Sequence, residues 1–96
     1  MIQSFGNQLA EDLYDDRQTT VTRRFPPDVY RAARRKLLYL RDAGDLVDLR
    51  VPPGNRLEAL KGRWKGWLSI RINDQWRIVF RWKDGQAFDV QVLDYH

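Results

Sequence analysis

From Leu68 to Val92 apolar and polar side chains alternate with a period of two, broken only at two short polar turns. Leu68, Ile70 and Ile72 alternate with Ser69, Arg71 and Asn73. Asn73-Asp74-Gln75 then turns the chain, and Trp76, Ile78, Phe80 and Trp82 alternate with Arg77, Val79 and Arg81. Asp84-Gly85 is a two-residue hairpin signal, because both central positions of such a turn need positive φ. The last run is expected to place Phe88, Val90 and Val92 inward and Asp89, Gln91, Leu93 and Tyr95 outward. Successive side chains of a strand point to opposite faces, so three such runs joined by short turns specify an antiparallel meander with one buried face. Leu57 to Leu60 reads as a brief additional strand or the approach to one, and Ile2 to Phe5 as a short first strand.

Something must cover the buried face, and the first half of the chain supplies it. Asn7 can cap a short helix ending near Tyr14, with Leu9/Leu13 and Ala10/Tyr14 at i,i+4 spacing. Residues 16–25 read as a polar connector. Pro26-Pro27-Asp28 opens a second helix that Gly44 stops, with Val29, Ala33, Leu37 and Leu40 along one side. Lys36 falls on that apolar side, where a snorkelling stem accounts for it, and Leu38 falls on the charged side as an exposed leucine. Residues 45–50 fit either a short strand or a helical turn, and Pro52-Pro53-Gly54-Asn55 is a loop. The expected fold class is α+β: a single domain over residues 1–96, with two N-terminal helices packed on one face of a small, mainly antiparallel four- to five-stranded sheet.

Charge is distributed unevenly. Residues 50–83 hold nine Lys/Arg against Glu58 and Asp74, residues 1–49 balance eight against eight, and residues 84–96 hold three Asp. The surplus of positive charge therefore sits on the loop and strands that form the outer face, which points to a polyanionic ligand. Residues 1–16 lack the basic and apolar regions of a signal peptide, and no apolar run approaches the ~20 residues of a membrane span. With zero cysteines the composition suits a reducing cytoplasm and excludes a disulfide framework. One histidine and no cysteine leave no His/Cys metal cluster, and neither GxxxxGK[ST] nor GxGxxG occurs, so no metal and no cofactor are expected.

A basic strand face with aromatics suits single-stranded RNA, since guanidinium groups hold phosphates while rings stack on unpaired bases. Arg71, Arg77 and Arg81 are expected on that face, and Trp64 and Trp67 in the glycine-flanked basic loop are the tryptophans expected to be exposed. Trp76 and Trp82 share the inner face and read as core. His96 titrates near neutral pH and is a candidate general acid or base, although a terminal residue is ordinarily a tail.

LEALKG at 57–62, GWLSIRINDQWRIVFRW at 66–82 and DYH at 94–96 resemble the HigB toxins of type II toxin–antitoxin systems, within the RelE/ParE superfamily. The resemblance spans essentially the whole chain and implies a RelE-like fold. It implies a ribosome-dependent endoribonuclease that cuts mRNA in the ribosomal A site, without metal, and halts translation. It also implies a cognate helix-turn-helix antitoxin, through which alone the toxin would reach operator DNA. Asp94, Tyr95 and His96 would belong to the active site, and Lys61, Arg63, Arg71 and Arg77 would hold RNA or the scissile phosphate. Some HigB toxins carry a catalytic histidine at the second position of L-x-x-L-K-G, where this chain has Glu58. Two other readings remain: a ParE-like poison of DNA gyrase, and a weakly active RNA-binding or operon co-repressor module.

Overall fold

The computed structural model describes residues 1–94. Helix α1 (Gln8–Tyr14) is capped as its sequence requires, with the Asn7 side chain accepting from the Ala10 amide at 3.0 Å. Helix α2 (Pro27–Asp42) begins at a proline whose missing N–H costs nothing in the first turn. Its stop differs from expectation: Ala43 goes extended, and the Asp48 carboxylate accepts from the amides of Gly44 and Asp45, each at 3.1 Å. Asp45 in turn caps a 3₁₀ turn over Leu46–Arg50, which settles the choice left open by periodicity in favour of a helical turn.

Strands β1 (Glu58–Ala59), β2 (Leu68–Arg71), β3 (Trp76–Lys83) and β4 (Gln86–Asp94) form one antiparallel sheet in sequence order. Asp84 and Gly85 both take positive φ between β3 and β4, the conformation their dipeptide favours. Residues 2–5 do not form a separate strand but make two parallel bridges, Ile2 to Ala87 and Phe5 to Val90, along the free edge of β4. The face under the helices is the apolar core. Leu13, Leu37, Leu40, Leu49, Ile70, Ile78, Phe80, Val90 and Val92 are fully buried there, each contributing about 1.5–3 kcal/mol by leaving water. Trp76 and Trp82 are half-buried and pack on this core, Trp76 edge-on to Phe25 at 4.7 Å.

Three expectations need correction. The pairing of β3 with β4 shifts between Val79 and Arg81, and Asp89 lies in the left-handed region at φ 53°. This bulge reverses the parity of β4 before it, so Ala87 faces the core and Phe88 faces outward beside Arg81. Lys36 does not snorkel. It is 7% exposed and donates to Asn55 Oδ1, while the Asn55 amide donates to the carbonyls of Leu49 (3.1 Å) and Val51 (3.3 Å). Burial first, then the nearby charges of Arg35 and Arg71, hold its ammonium below the ordinary lysine pKa. Leu38 is half-buried rather than exposed, in a shallow hollow with Tyr30, Arg34 and Arg35.

Candidate active site

The face of the sheet away from the helices carries the predicted arginines. Register places Arg71 of β2 directly opposite Arg77 of β3, with Leu93 of β4 completing the row. Two like charges facing one another are unfavourable, and each is offset by its own carboxylate. Arg71 pairs with Asp74 in the β2–β3 turn, and Arg77 pairs with Glu58 of β1 at 2.8 Å. Further along, Arg81 donates to Asp89 at 2.9 Å through Nε and 2.5 Å through the terminal nitrogen. The outer face is thus a set of ion pairs rather than a bare cationic surface.

The pairs differ in tightness. The Arg77 side chain is 14% exposed, and its Nε donates to Ser69 Oγ at 2.9 Å while a terminal nitrogen donates to the Arg56 carbonyl at 3.0 Å. Nε and one terminal nitrogen of the fork are thus engaged by its own protein, tying the short edge strand β1 and the turn before it to the centre of the sheet. Arg71 is 28% exposed, and Asp74 opposite it is 100% exposed. A pair with one fully solvated member contributes about 0–1 kcal/mol, so a phosphate can displace it. Beneath the arginines this face is not solvated: Ser69, Val79 and Leu60 are buried there, apart from the main core.

Asp94 lies at the same end, paired in β4 with Trp76, and its Oδ2 accepts from Gln75 Nε2 at 3.0 Å. β4 therefore keeps its register through Asp94, on the parity of Val90 and Val92, and its bulge lies earlier, at Asp89. Tyr95 and His96 lie outside the described residues. Lys61 and Arg63 border the 3₁₀ turn at Gly62–Trp64, exposed, and with Lys65 and Lys83 they make no ion pair among the described residues. Arg63 lies over the Trp64 ring at 5.8 Å. The structure thus brings Arg71, Arg77 and Glu58 together on the open face, puts Asp94 at the same end of the sheet but in register with Trp76, on the parity of Val90 and Val92, and leaves the cations of the loop toward the opposite, hairpin end. Ser69, bonded to Arg77, and Gln75, bonded to Asp94, complete the arrangement. Their roles are geometric, and only contacts across long sequence separations expose them.

A family model described as the RelE-like toxin of type II toxin–antitoxin system HigB matches residues 3–96. Toxin HigB-1 of Vibrio cholerae serotype O1 is 43% identical over 96 residues, covering 100% of this chain and 98% of that protein. Endoribonuclease HigB of Proteus vulgaris is 39% identical over 41 residues, covering 43% of this chain and 45% of its own length. Among solved structures, the YoeB–YefM complex from Staphylococcus aureus aligns with a TM-score of 0.62 at 17% identity, covering 100% of this chain and 98% of that one. YafQ from E. coli aligns at 0.53 with 20% identity, over 96% of this chain and 89% of that one. At such identities the structural likeness speaks for the fold: two helices followed by a four-stranded antiparallel sheet.

Proposed function

The chain belongs to the HigB family of RelE-like toxins of type II toxin–antitoxin systems, and from that premise we propose that it is an endoribonuclease that cleaves mRNA in the ribosomal A site. The observation that supports this reading is the arrangement at the Asp94 end. A displaceable Arg71 and a fixed Arg77 face one another there, with the Asp94 carboxylate at the same end of the sheet, and the exposed cations of the 61–65 loop lie toward the hairpin end of the same face. Cleavage by the RNA's own 2′-OH on the adjacent phosphate leaves a 2′,3′-cyclic phosphate and a 5′-OH. It needs a base at the 2′-OH, an acid at the leaving 5′-oxygen, and cations for the charge on the phosphorane. Those groups are all within the reach of protein side chains, so the reaction is written without a metal.

In this assignment His96 transfers a proton, Asp94 orients it, and Tyr95 stacks on a base or contacts it through its hydroxyl. Arg71 exchanges Asp74 for the scissile phosphate, while Lys61 and Arg63 hold the flanking backbone. Arg77 acts chiefly through the shape of the site, because its Nε and one terminal nitrogen are already committed to Ser69, Arg56 and Glu58. Glu58 is correspondingly a partner of Arg77 rather than the base that stands in for the family's histidine. The partner implied is a cognate antitoxin of helix-turn-helix type encoded beside the toxin, and the place of action is the cytoplasm, on the ribosome.

The test is induction of the gene alone, with 5′ ends of cellular mRNA mapped for the wild type and for His96→Ala. Cuts within codons are expected, lost by about 10²–10⁴ in rate in the variant. Cleavage by His96→Ala within threefold of wild type removes that residue from proton transfer. Intact message together with gyrase-dependent DNA breaks would place the chain in the ParE-like branch.

A further inference from the structure

The cleavage chemistry leaves one built feature of the open face unused. Between the 62–67 loop and the end of the β3–β4 hairpin lies a hollow of about 460 Å³, lined by Gly66, Arg81, Trp82, Lys83 and Phe88. Phe88 faces this side because the bulge at Asp89 turns it away from the core. Trp82 closes the hollow from the core-facing side of β3, where its ring packs against Phe80 at 6.3 Å and 72°. Gly66 sits at φ 92°, where a side chain would be strained, and the space beside it is open for 4 Å. Alongside, Trp64 and Trp67 meet edge to face at 5.1 Å, and Arg81 lies over Trp67 at 5.6 Å.

We propose that this hollow is a subsite for one unpaired nucleobase of a single-stranded RNA, stacked on Phe88 with the adjoining phosphate at Lys83. The inference rests on the RNA-substrate reading above and extends it to a second point of contact. Six residues of β3 separate Arg77 from Lys83, about 20 Å at a strand's rise, so a strand of RNA engaged at both ends would run along the open face. The lining decides the ligand's chemistry. Two of its five residues are cationic; Arg81 is held by Asp89, and an apolar peptide anchor would take Lys83 out of water without a partner. A nucleotide supplies a ring for Phe88 and an anion for Lys83 in one unit, and stacking is indifferent to which base it is.

Two variants test it in the whole protein, without ribosomes, by fluorescence titration with a single-stranded oligoribonucleotide and with a duplex of the same length. Phe88→Leu keeps an apolar side chain and removes the π face. It is expected to weaken single-strand binding about tenfold and leave duplex binding unchanged. Lys83→Ala is expected to lower the salt slope of log K by about 0.7, the signature of one fewer phosphate neutralised on a single strand. Thermal unfolding controls for fold, and Lys83, fully on the surface, decides the matter alone if Phe88→Leu is unstable. Single-strand binding equal to wild type in the variants overturns the proposal, as do equal losses on strand and duplex or no binding by wild type at low salt. Ribosomal cleavage measured in parallel separates the two readings. A protein that does not cut but loses strand binding in Phe88→Leu keeps the subsite and loses the nuclease, and cutting with unchanged binding does the reverse.

Discussion

The two ends of the open sheet face use the same residue type in opposite ways. At the Asp94 end, Arg71 and Arg77 face carboxylates, Asp74 and Glu58. At the hairpin end, cations face rings: Arg63 over Trp64, Arg81 over Trp67, and Lys83 near Phe88. A carboxylate fixes a guanidinium in direction and cancels its charge, which suits a group that must be held in place near a reacting phosphate. A ring steadies a cation without neutralising it, which keeps the charge available to a flexible anionic strand. Arg81 belongs to both patterns, with Asp89 on one side and Trp67 on the other, and it marks the boundary between them.

The sharpest way to break that contrast lies inside the ion-paired end. Arg71→Ala is expected to cost about 10²–10³ in cleavage, as for loss of a donor to developing charge, with the melting temperature nearly unchanged. Arg77→Ala is expected to destabilise the fold by about 1–3 kcal/mol in urea unfolding, since it strips partners from the buried Ser69 and from the Arg56 carbonyl. If the two variants show the same balance of activity and stability loss, the distinction between a displaceable and a fixed arginine is wrong. A smaller effect is expected from Glu58→Gln. Cleavage should remain within about threefold, because the carboxylate serves Arg77, whereas a general base would lose 10²–10⁴.

The smallest effect is a pH dependence. Lys36 has a folded-state pKa below its unfolded value, so between the two the unfolded chain binds more protons than the folded one. Stability from this group therefore rises with pH from its lowered pKa to about 10.5, and below that window the buried charge opposes folding. Urea midpoints from pH 7 to 10.5 should climb more steeply for the wild type than for Lys36→Met, and parallel curves would refute the assignment.

Much of this architecture is legible in period and turn chemistry. The alternation through β2 and β3, the Asp84-Gly85 turn, the Asn7 cap and the apolar side of α2 are local signals, and the structure follows each. The placement of Arg71, Arg77 and Arg81 on one face is equally readable, because strand parity alone decides it. What is not readable depends on partners distant in sequence. The inward reading of Phe88 fails because a one-residue bulge at Asp89 reverses parity, and nothing in a strand's composition announces it. Lys36 escapes a local reading because its partner, Asn55, lies nineteen residues away across a loop. The carboxylates that neutralise the outer arginines are visible as residues, but pairing Glu58 with Arg77 requires the register of β1 on β2.

The edge of β4 is closed by residues 2–7. Gln3 and Gly6 donate to the carbonyls of Ala87 and Val90 at 2.8 and 2.7 Å, and the Asn7 side chain both donates to and accepts from Val92. Gly6 is required there, since a Cβ would come within 2.8 Å of the Asp89 carbonyl. These contacts span about 85 positions of sequence, so a segment synthesised early must wait for the strand it latches onto. A nascent chain that has not yet reached Val92 has an unlatched sheet and no Asp94, and the polypeptide acquires its finished shape only after β4 has left the ribosome.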